Sequence, residues 1–330
     1  MKHFVRLSIL FACVVALSSC GNDVEFDEDP LSSDNKNCNT IVSLDYGNLP
    51  NESVIRRLEF PKLKNGRNNY LIVHNASFGV NYCVEWDSNL RPEGWDWSND
   101  GGTLRSQRWS CWQWHAGNSS SNTTRKPYNQ GGDFSEYPND PNLPSQYHFT
   151  ADPYWNTGYQ HGHIMASADR GYGYNSQANI QTFYMTNMQP QVNGFNAYVW
   201  ASMEAQARAW NSNNFRDTLY VVKGGTIDKK EHIIRTLGSG RNRIPVPKYF
   251  FMALLCKNKD TANGGYKALG FWIQHQSNTT TNPDLTPYVV NIRELERLTG
   301  IDFFCNLPDN IENAVETLSR DNIIRAWNLE

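Results

Sequence analysis

The chain has 330 residues, 39% hydrophobic and 19% charged, which is the composition of an ordinary soluble globular protein with room for one large domain or two smaller ones. A formal charge of −3 excludes any argument from a globally basic or acidic surface, so a polyanionic partner would have to be met by a local field. Aromatic residues stand at 13%, with 11 Trp, and this excess needs an explanation.

Met1 to Ser19 opens with Lys2 and Arg6 and continues through the apolar run from Leu7 to Leu17, too short to span a bilayer comfortably. Residues 1–19 therefore read as an export signal. The ending Ala16-Leu17-Ser18-Ser19-Cys20-Gly21 resembles the lipobox of bacterial lipoproteins, which makes Cys20 the expected lipidation site. The resemblance, with uncharged Gly21 after the Cys, implies an exported protein anchored by lipid to the outer membrane. Residues 20–47 are expected to form an acidic disordered tether, because Asp23, Glu25, Asp27, Glu28, Asp29 and Asp34 face only Lys36. Removing the two cations of the signal takes the formal charge from −3 to −5, and the tether accounts for all of it.

Residues 48–330 show no internal repeat and no long linker, so one domain is the simplest parse. Tyr70 to His74, Asn81 to Trp86 and Arg108 to Trp114 read as strands from their apolar and β-branched content, followed by a Gly-, Asn- and Pro-rich stretch to Pro144. Thr218 to Gly225, Lys248 to Leu255 and Gly270 to Ile273 read as further strands. Helices are expected from Ile292 to Thr299, ending at Gly300, and from Asp309 to Leu318, with Asp309 as N-cap and Glu312 three residues on. Strands interleaved with helices but lacking a βαβ rhythm predict an α+β fold, a central antiparallel sheet flanked by helices.

Of the seven Cys, Cys13 leaves with the signal and Cys20 takes lipid, and none of the rest has the close spacing of a zinc site. Outside the cytoplasm a disulfide between Cys256 and Cys305 is expected, contributing about 4 kcal/mol by loop entropy, with Cys83 and Cys111 as a second pair.

The stretch from Tyr159 to Arg208 carries the chemistry. It holds Gln160-His161-Gly162-His163 on a strand, then Asn187-Met188-Gln189-Pro190-Gln191, then a helix from about Phe195. On that helix Asn196, Trp200, Glu204 and Arg208 recur every fourth residue and sweep about 120° of arc, one stripe. Phe195, Val199 and Met203 make the same side partly apolar, so the polar members need partners such as a metal or a phosphate. An exposed helix with a Glu204–Arg208 ion pair is the plainer alternative.

This run resembles the DNA/RNA non-specific endonuclease family, whose members carry Asp-Arg-Gly-His on a strand, then Asn-x-x-Pro-Gln, then Asn, Trp, Glu and Arg at four-residue steps. Gly162-His163 matches the first element, Asn187, Pro190 and Gln191 the second, and Asn196, Trp200, Glu204 and Arg208 the third. The resemblance implies a ββα-metal nuclease fold and Mg²⁺-dependent hydrolysis of DNA and RNA to 5′-phosphate products, with no protein partner evident. His163 becomes the general base and Asn196 the single protein ligand of Mg²⁺, with Mn²⁺ as a substitute. Glu204 would hold metal-bound waters, Arg208 would neutralise phosphate charge, Asn187 and His161 join the catalytic set, and Gln191 and Arg170 join Arg208 in binding substrate.

Two departures qualify this. Gln160-His161 replaces the family's Asp-Arg, and the segment Gln146 to Ala151 before Asp152-Pro153 lacks an Arg. Weakened, acid-shifted or lost activity would follow unless Arg170 compensates, and a nucleic-acid-binding scaffold without cleavage is one alternative. The others are a transition metal on His161 and His163, which share a strand face, and a carbohydrate surface built on Trp95, Trp97, Trp109, Trp112 and Trp114.

Overall fold

The computed structural model describes residues 35–42, 44–119, 137–170, 177–258 and 265–330. The export signal, Cys20 and the tether through Asp34 lie outside the described residues. In chain order the strands are β1 (Tyr46–Asn48), β2 (Gly66–Ala76), β3 (Gly79–Leu90), β4 (Leu104–His115), β5 (Tyr159–His163), β6 (Met188–Val192), β7 (Thr218–Gly225), β8 (Ile233–Leu237), β9 (Ile244–Pro247), β10 (Tyr249–Lys257), β11 (Tyr266–Gln274) and β12 (Val289–Val290). The helices are α1 (Glu52–Ile55), α2 (Gln177–Gln181), α3 (Ala201–Trp210), α4 (Ile292–Thr299), α5 (Asp309–Glu316) and α6 (Arg320–Ala326).

Eight strands form one sheet in the order β1-β2-β3-β4-β7-β10-β11-β12. Every pairing in it is antiparallel except β1 with β2. β10 is a nearly continuous apolar run because both of its faces are covered, whereas β4, equally buried, carries Arg105, Ser106, Gln107, Arg108 and Ser110 among its Trp residues. In β10, Phe250, Met252, Leu254 and Cys256 face the core under α3, while Phe251, Ala253 and Leu255 face the core under α4 and α5. Met203, Ala207 and Trp210 of α3 close the first core, and Ile292, Leu295, Ile311 and Val315 close the second. Helices on both faces of a large, mostly antiparallel sheet are the α+β arrangement that the patterning predicts.

The aromatic excess belongs to these cores. Trp109, Trp112 and Trp114 alternate across β4 and are all buried. Trp95 packs on a small satellite core around Leu90, and Trp97 lies under the Arg91 guanidinium at 4.6 Å. Burial takes Trp109, Trp112 and Trp114 out of the carbohydrate-surface alternative and leaves it only the half-buried Trp95 and Trp97.

Four expectations are corrected. The Cys256–Cys305 disulfide is absent: both thiols are free, Cys256 contacts Phe215 on one side of the sheet, and Cys305 contacts Phe60 of the core on the other. Cys83 and Cys111 are register partners on β3 and β4 yet also remain free thiols. The tether ends earlier than residue 47, since Asn35 donates to the carbonyls of Cys305 and Leu307, Asn39 to that of Pro61, and β1 joins the sheet. Finally, α5 begins after Pro308 without a side-chain cap, and Asp309 instead accepts from the Lys36 backbone N–H at 2.9 Å. In α4 the sequence signals hold: the Asn291 carboxamide accepts from Glu294 N–H, and Gly300 takes the left-handed closing position at φ 73°.

Candidate active site

β5 and β6 form a separate antiparallel pair in which His161 faces Pro190, Gly162 faces Gln189 and His163 faces Met188. A Cβ at Gly162 would meet Gln191 Cδ at 2.3 Å, so only glycine lets the two strands close over that side chain. Gln191 is thereby fully buried. Asn187 is buried too, and both ends of its carboxamide are used. Its oxygen accepts from Met165 N–H at 2.9 Å and Ser110 Oγ at 3.2 Å, and its nitrogen donates to the carbonyls of Met165 and Thr182. Asn187 therefore positions the chain just past His163 against β4, and the catalytic role expected of it becomes a positioning one.

His161 and His163 share a face of β5 but not an environment. The His163 ring is half-buried, edge-on to Phe183 at 5.2 Å and to Tyr137 at 6.0 Å. His161 is stacked between Tyr137 and Tyr154, each 4.0 Å away, with Nε2 at 3.1 Å from Asp152 Oδ1. Burial pushes the Asp152 carboxyl up, but the His161 hydrogen bond and charge outweigh it and hold the group below the ordinary carboxylate range. This use of His161 removes the shared-metal alternative, and among the described residues no three His, Cys, Asp or Glu come together as a metal cluster.

The helix begins with a π-helical turn, Phe195–Trp200, before α3 takes over. The four-residue stripe is therefore interrupted at its head, and such wide turns are frequent at functional sites. Asn196 sits in this turn and donates its Nδ2 to Gln160 Oε1 at 2.7 Å, while Gln160 Nε2 donates to Asn193 Oδ1 at 2.9 Å. The first strand and the helix head are thus joined directly. With its nitrogen engaged, Asn196 has Oδ1 as the atom able to take a hard cation. Trp200 is buried and packs on Phe195 and Phe250.

Farther along, Glu204 accepts from Lys223 Nζ at 2.6 Å, and Arg208 Nη1 lies 2.9 Å from Asp169 Oδ1. The Lys223 side chain is 1% exposed, against 12% for Glu204, and its ammonium lies 5.0 Å from the Trp200 ring and 5.5 Å from the Trp112 ring. Burial raises the Glu204 carboxyl above its ordinary value, with Lys223 opposing and Asp169 adding to the shift. For Arg208 burial works against the cation, but Asp169 and Glu204 more than offset it and the guanidinium is held charged. The alternative of a Glu204–Arg208 surface pair is not what forms: Glu204 pairs with Lys223 and Arg208 with Asp169. Arg170 is buried and donates to the Asn81 side chain and to the carbonyls of Asn81 and Gln113, so it is a structural cation and not the compensating substrate contact.

The model of the DNA/RNA non-specific endonuclease family matches residues 85–310, well over half of the chain. The chain belongs to that family. It is thereby placed among the hydrolases of nucleic acids. It is 30% identical over 182 residues to Nuclease C1 of Cunninghamella echinulata var. echinulata, covering 53% of this chain and 68% of that one. To a nuclease of Nostoc sp. (strain PCC 7120) it is 30% identical over 175 residues, 51% of this chain and 58% of that one. To human mitochondrial endonuclease G it is 26% identical over 181 residues, 53% of this chain and 57% of that one. The alignment thus spans little more than half the length of the last two. A crystal structure of EndoG complexed with EndoGI is similar at a TM-score of 0.52 and 19% identity, covering 72% of this chain and 86% of that one, which shows the shared fold.

Within the non-specific endonuclease motifs, sequence reasoning missed the residues that hold the named ones in place. Asp169, Lys223 and His275 are distant in sequence from their partners. His275 accepts from Val192 N–H at 2.9 Å through Nε2 and donates from Nδ1 to the Pro247 carbonyl at 2.8 Å, which ties the end of β6 to the body. The only sequence signal was a Lys in the middle of the otherwise apolar strand β7.

Proposed function

We propose that the protein is a Mg²⁺-dependent endonuclease that hydrolyses DNA and RNA to 5′-phosphate products. The observation that carries this reading is the Gln160–Asn196 hydrogen bond, which joins the strand bearing His163 to the helix head bearing the candidate metal ligand. His163 accepts the proton of the attacking water, with its ring edge fixed against Phe183. Asn196 Oδ1 is a suitable single ligand for a cation that keeps most of its water, and the lack of a carboxylate cluster among the described residues fits such a cation better than a fully protein-ligated one. Mg²⁺, or Mn²⁺ in its place, supplies charge stabilisation on the phosphate when bound.

Glu204 engages Lys223 through Oε1, leaving Oε2 to order water, and Arg208, whose side chain is 25% exposed, faces the phosphate with its charge held by Asp169. His161 donates to Asp152 and so does not replace the family's guanidinium. The cationic work falls to Arg208, while Lys223 is buried against Glu204. The lipobox-like sequence around Cys20 supports an exported protein anchored by lipid to the outer membrane, which palmitate labelling of the wild type and Cys20→Ser would check.

Nicking of supercoiled plasmid tests the chemistry. Cleavage is expected with Mg²⁺ or Mn²⁺, none with chelator, and the fragments should be religated by ligase without prior phosphorylation. Metal-independent nicking, or ends that need phosphorylation, would contradict the mechanism. No nicking by folded protein would favour strand binding without cleavage.

A further inference from the structure

Past the end of α3, a cavity of about 560 Å³ opens between Arg208 and Arg216, with Ser119, Asn211, Asn213 and Asp169 among its lining residues. Arg216 is 2% exposed. Its Nε donates to Asn211 Oδ1 at 2.8 Å, its Nη1 to Asn213 Oδ1 at 2.9 Å and its Nη2 to Ser119 Oγ at 2.8 Å. All three partners are neutral oxygens. Arg170 shows that neutral oxygens can hold a buried guanidinium; Arg216 differs in lining an open cavity, opposite Arg208, which faces Asp169 at 2.9 Å. Among the described residues that line the cavity, Asp169 is the single carboxylate against two guanidiniums; Asp217, next in sequence to Arg216, attracts it electrostatically but is itself exposed to solvent. The cavity therefore holds a net positive charge in a partly desolvated place, where it acts more strongly than at a surface. The two Asn side chains turn their oxygens to Arg216, so their donor ends are the ones left to meet an anion.

We propose that this cavity is a second anion subsite, taking a phosphodiester of the substrate strand that flanks the bond being cut. The assignment rests on the nuclease reading above and extends it: Arg208 is shared by the scissile and flanking positions, and Arg216 with Asn211 and Asn213 belongs to the flanking one. The subsite fixes the strand's register on the enzyme without reading its sequence, as phosphate contacts do.

The test is binding of a fluorescein-labelled single-stranded DNA oligonucleotide to the full chain in chelator, where no cleavage occurs, across a salt series. Asn213→Asp places a carboxylate beside Arg216 from an exposed position, so the fold is not at risk, and Arg216→Gln removes the charge itself. Each is expected to weaken binding roughly ten-fold and to reduce the slope of log affinity against log salt by about 0.7, one phosphate contact. The melting temperature of Asn213→Asp should match the wild type. Unchanged affinity and slope in Asn213→Asp would overturn the proposal while leaving the nuclease reading intact, as would weaker binding at an unchanged slope. Inorganic phosphate that stabilises the wild type but not Asn213→Asp, with DNA binding equal in both, would make the cavity a free-phosphate site and overturn the strand assignment. A wild type that neither binds DNA nor nicks plasmid would sink the nuclease reading and the subsite with it.

Discussion

Lys223 shows how one residue can decide the electrostatics of this site. It lies in the middle of β7, where every neighbour in sequence is apolar, and its charge is met by Glu204 and by the faces of two Trp rings. A buried pair of this kind contributes little net stability against a hydrophobic pair, but removing one partner strands the other's charge. Lys223→Met should therefore cost about 3–5 kcal/mol in urea unfolding. Adding Glu204→Gln should recover a large part of that loss. A single mutant as stable as the wild type would show that Glu204 is not charged in the folded protein. Gly162 is a comparable case of constraint without charge, since any side chain there would strike Gln191.

At the scale of elements, the β5–β6 pair is held to the body by Asn187 at one end and His275 at the other. Burial lowers the His275 value below the ordinary 6.5, and its acceptor nitrogen is bonded to Val192 N–H only while the ring is neutral. As pH falls below 6.5 the unfolded or detached form takes up the proton first, so the stability this contact provides is present above that value and lost below it. Exchange of the Val192 amide hydrogen, corrected for intrinsic rate, should accelerate from neutral pH to about pH 5. Flat protection across that range would mean the histidine does not hold the strand.

The same scale explains what was legible in the sequence. β2, β3, β7, β10 and α4 announce themselves because burial on one or both faces writes an apolar pattern and, in α4, capping residues close the ends, while β4 shows only through its closely spaced Trp residues. β8, β9 and β12 are too short for a pattern, and the π turn at Phe195–Trp200 is a hydrogen-bonding choice that composition does not encode. Of the candidate site, His163, Asn196, Glu204 and Arg208 can be named from motif order and spacing. Asn187, Gln191 and Arg170 shared the motif region or its charge, yet they are buried, and burial depends on partners such as Ser110, Gly162 and Asn81 that are far away in the chain. The Cys256–Cys305 expectation failed for a related reason: sequence distance does not reveal which side of a sheet a thiol occupies.

Across the whole molecule, the first described residues close on the last helices. Asn37 donates to Asp302 at 3.3 Å and to Glu312 at 3.0 Å, and Arg293 lies 2.9 Å from Glu316. Burial, with neighbouring carboxylates adding, lifts Glu296 to about 7, Glu312 to about 8 and Glu316 to about 9. These groups hold protons in the folded chain that the unfolded chain releases near pH 4.5, so the stability they provide is complete below that value and is lost as pH rises towards 9. Denaturation midpoints should fall between pH 5 and pH 9, and Glu316→Gln should flatten the decline. A variant with the wild-type slope would remove Glu316 from the cause.

Two separately encoded pieces, a strand pair and a helix head, are joined by the Gln160–Asn196 hydrogen bond into one candidate site. The most direct test of that claim is plasmid nicking under single-turnover conditions by wild type, His163→Ala, Asn196→Ala and the double variant. Residues that act as one unit are strongly non-additive, so each single variant should lose nearly all activity and the double should be no worse than the poorer single. Losses that multiply in the double variant, or a single variant that cuts like the wild type, would contradict the account.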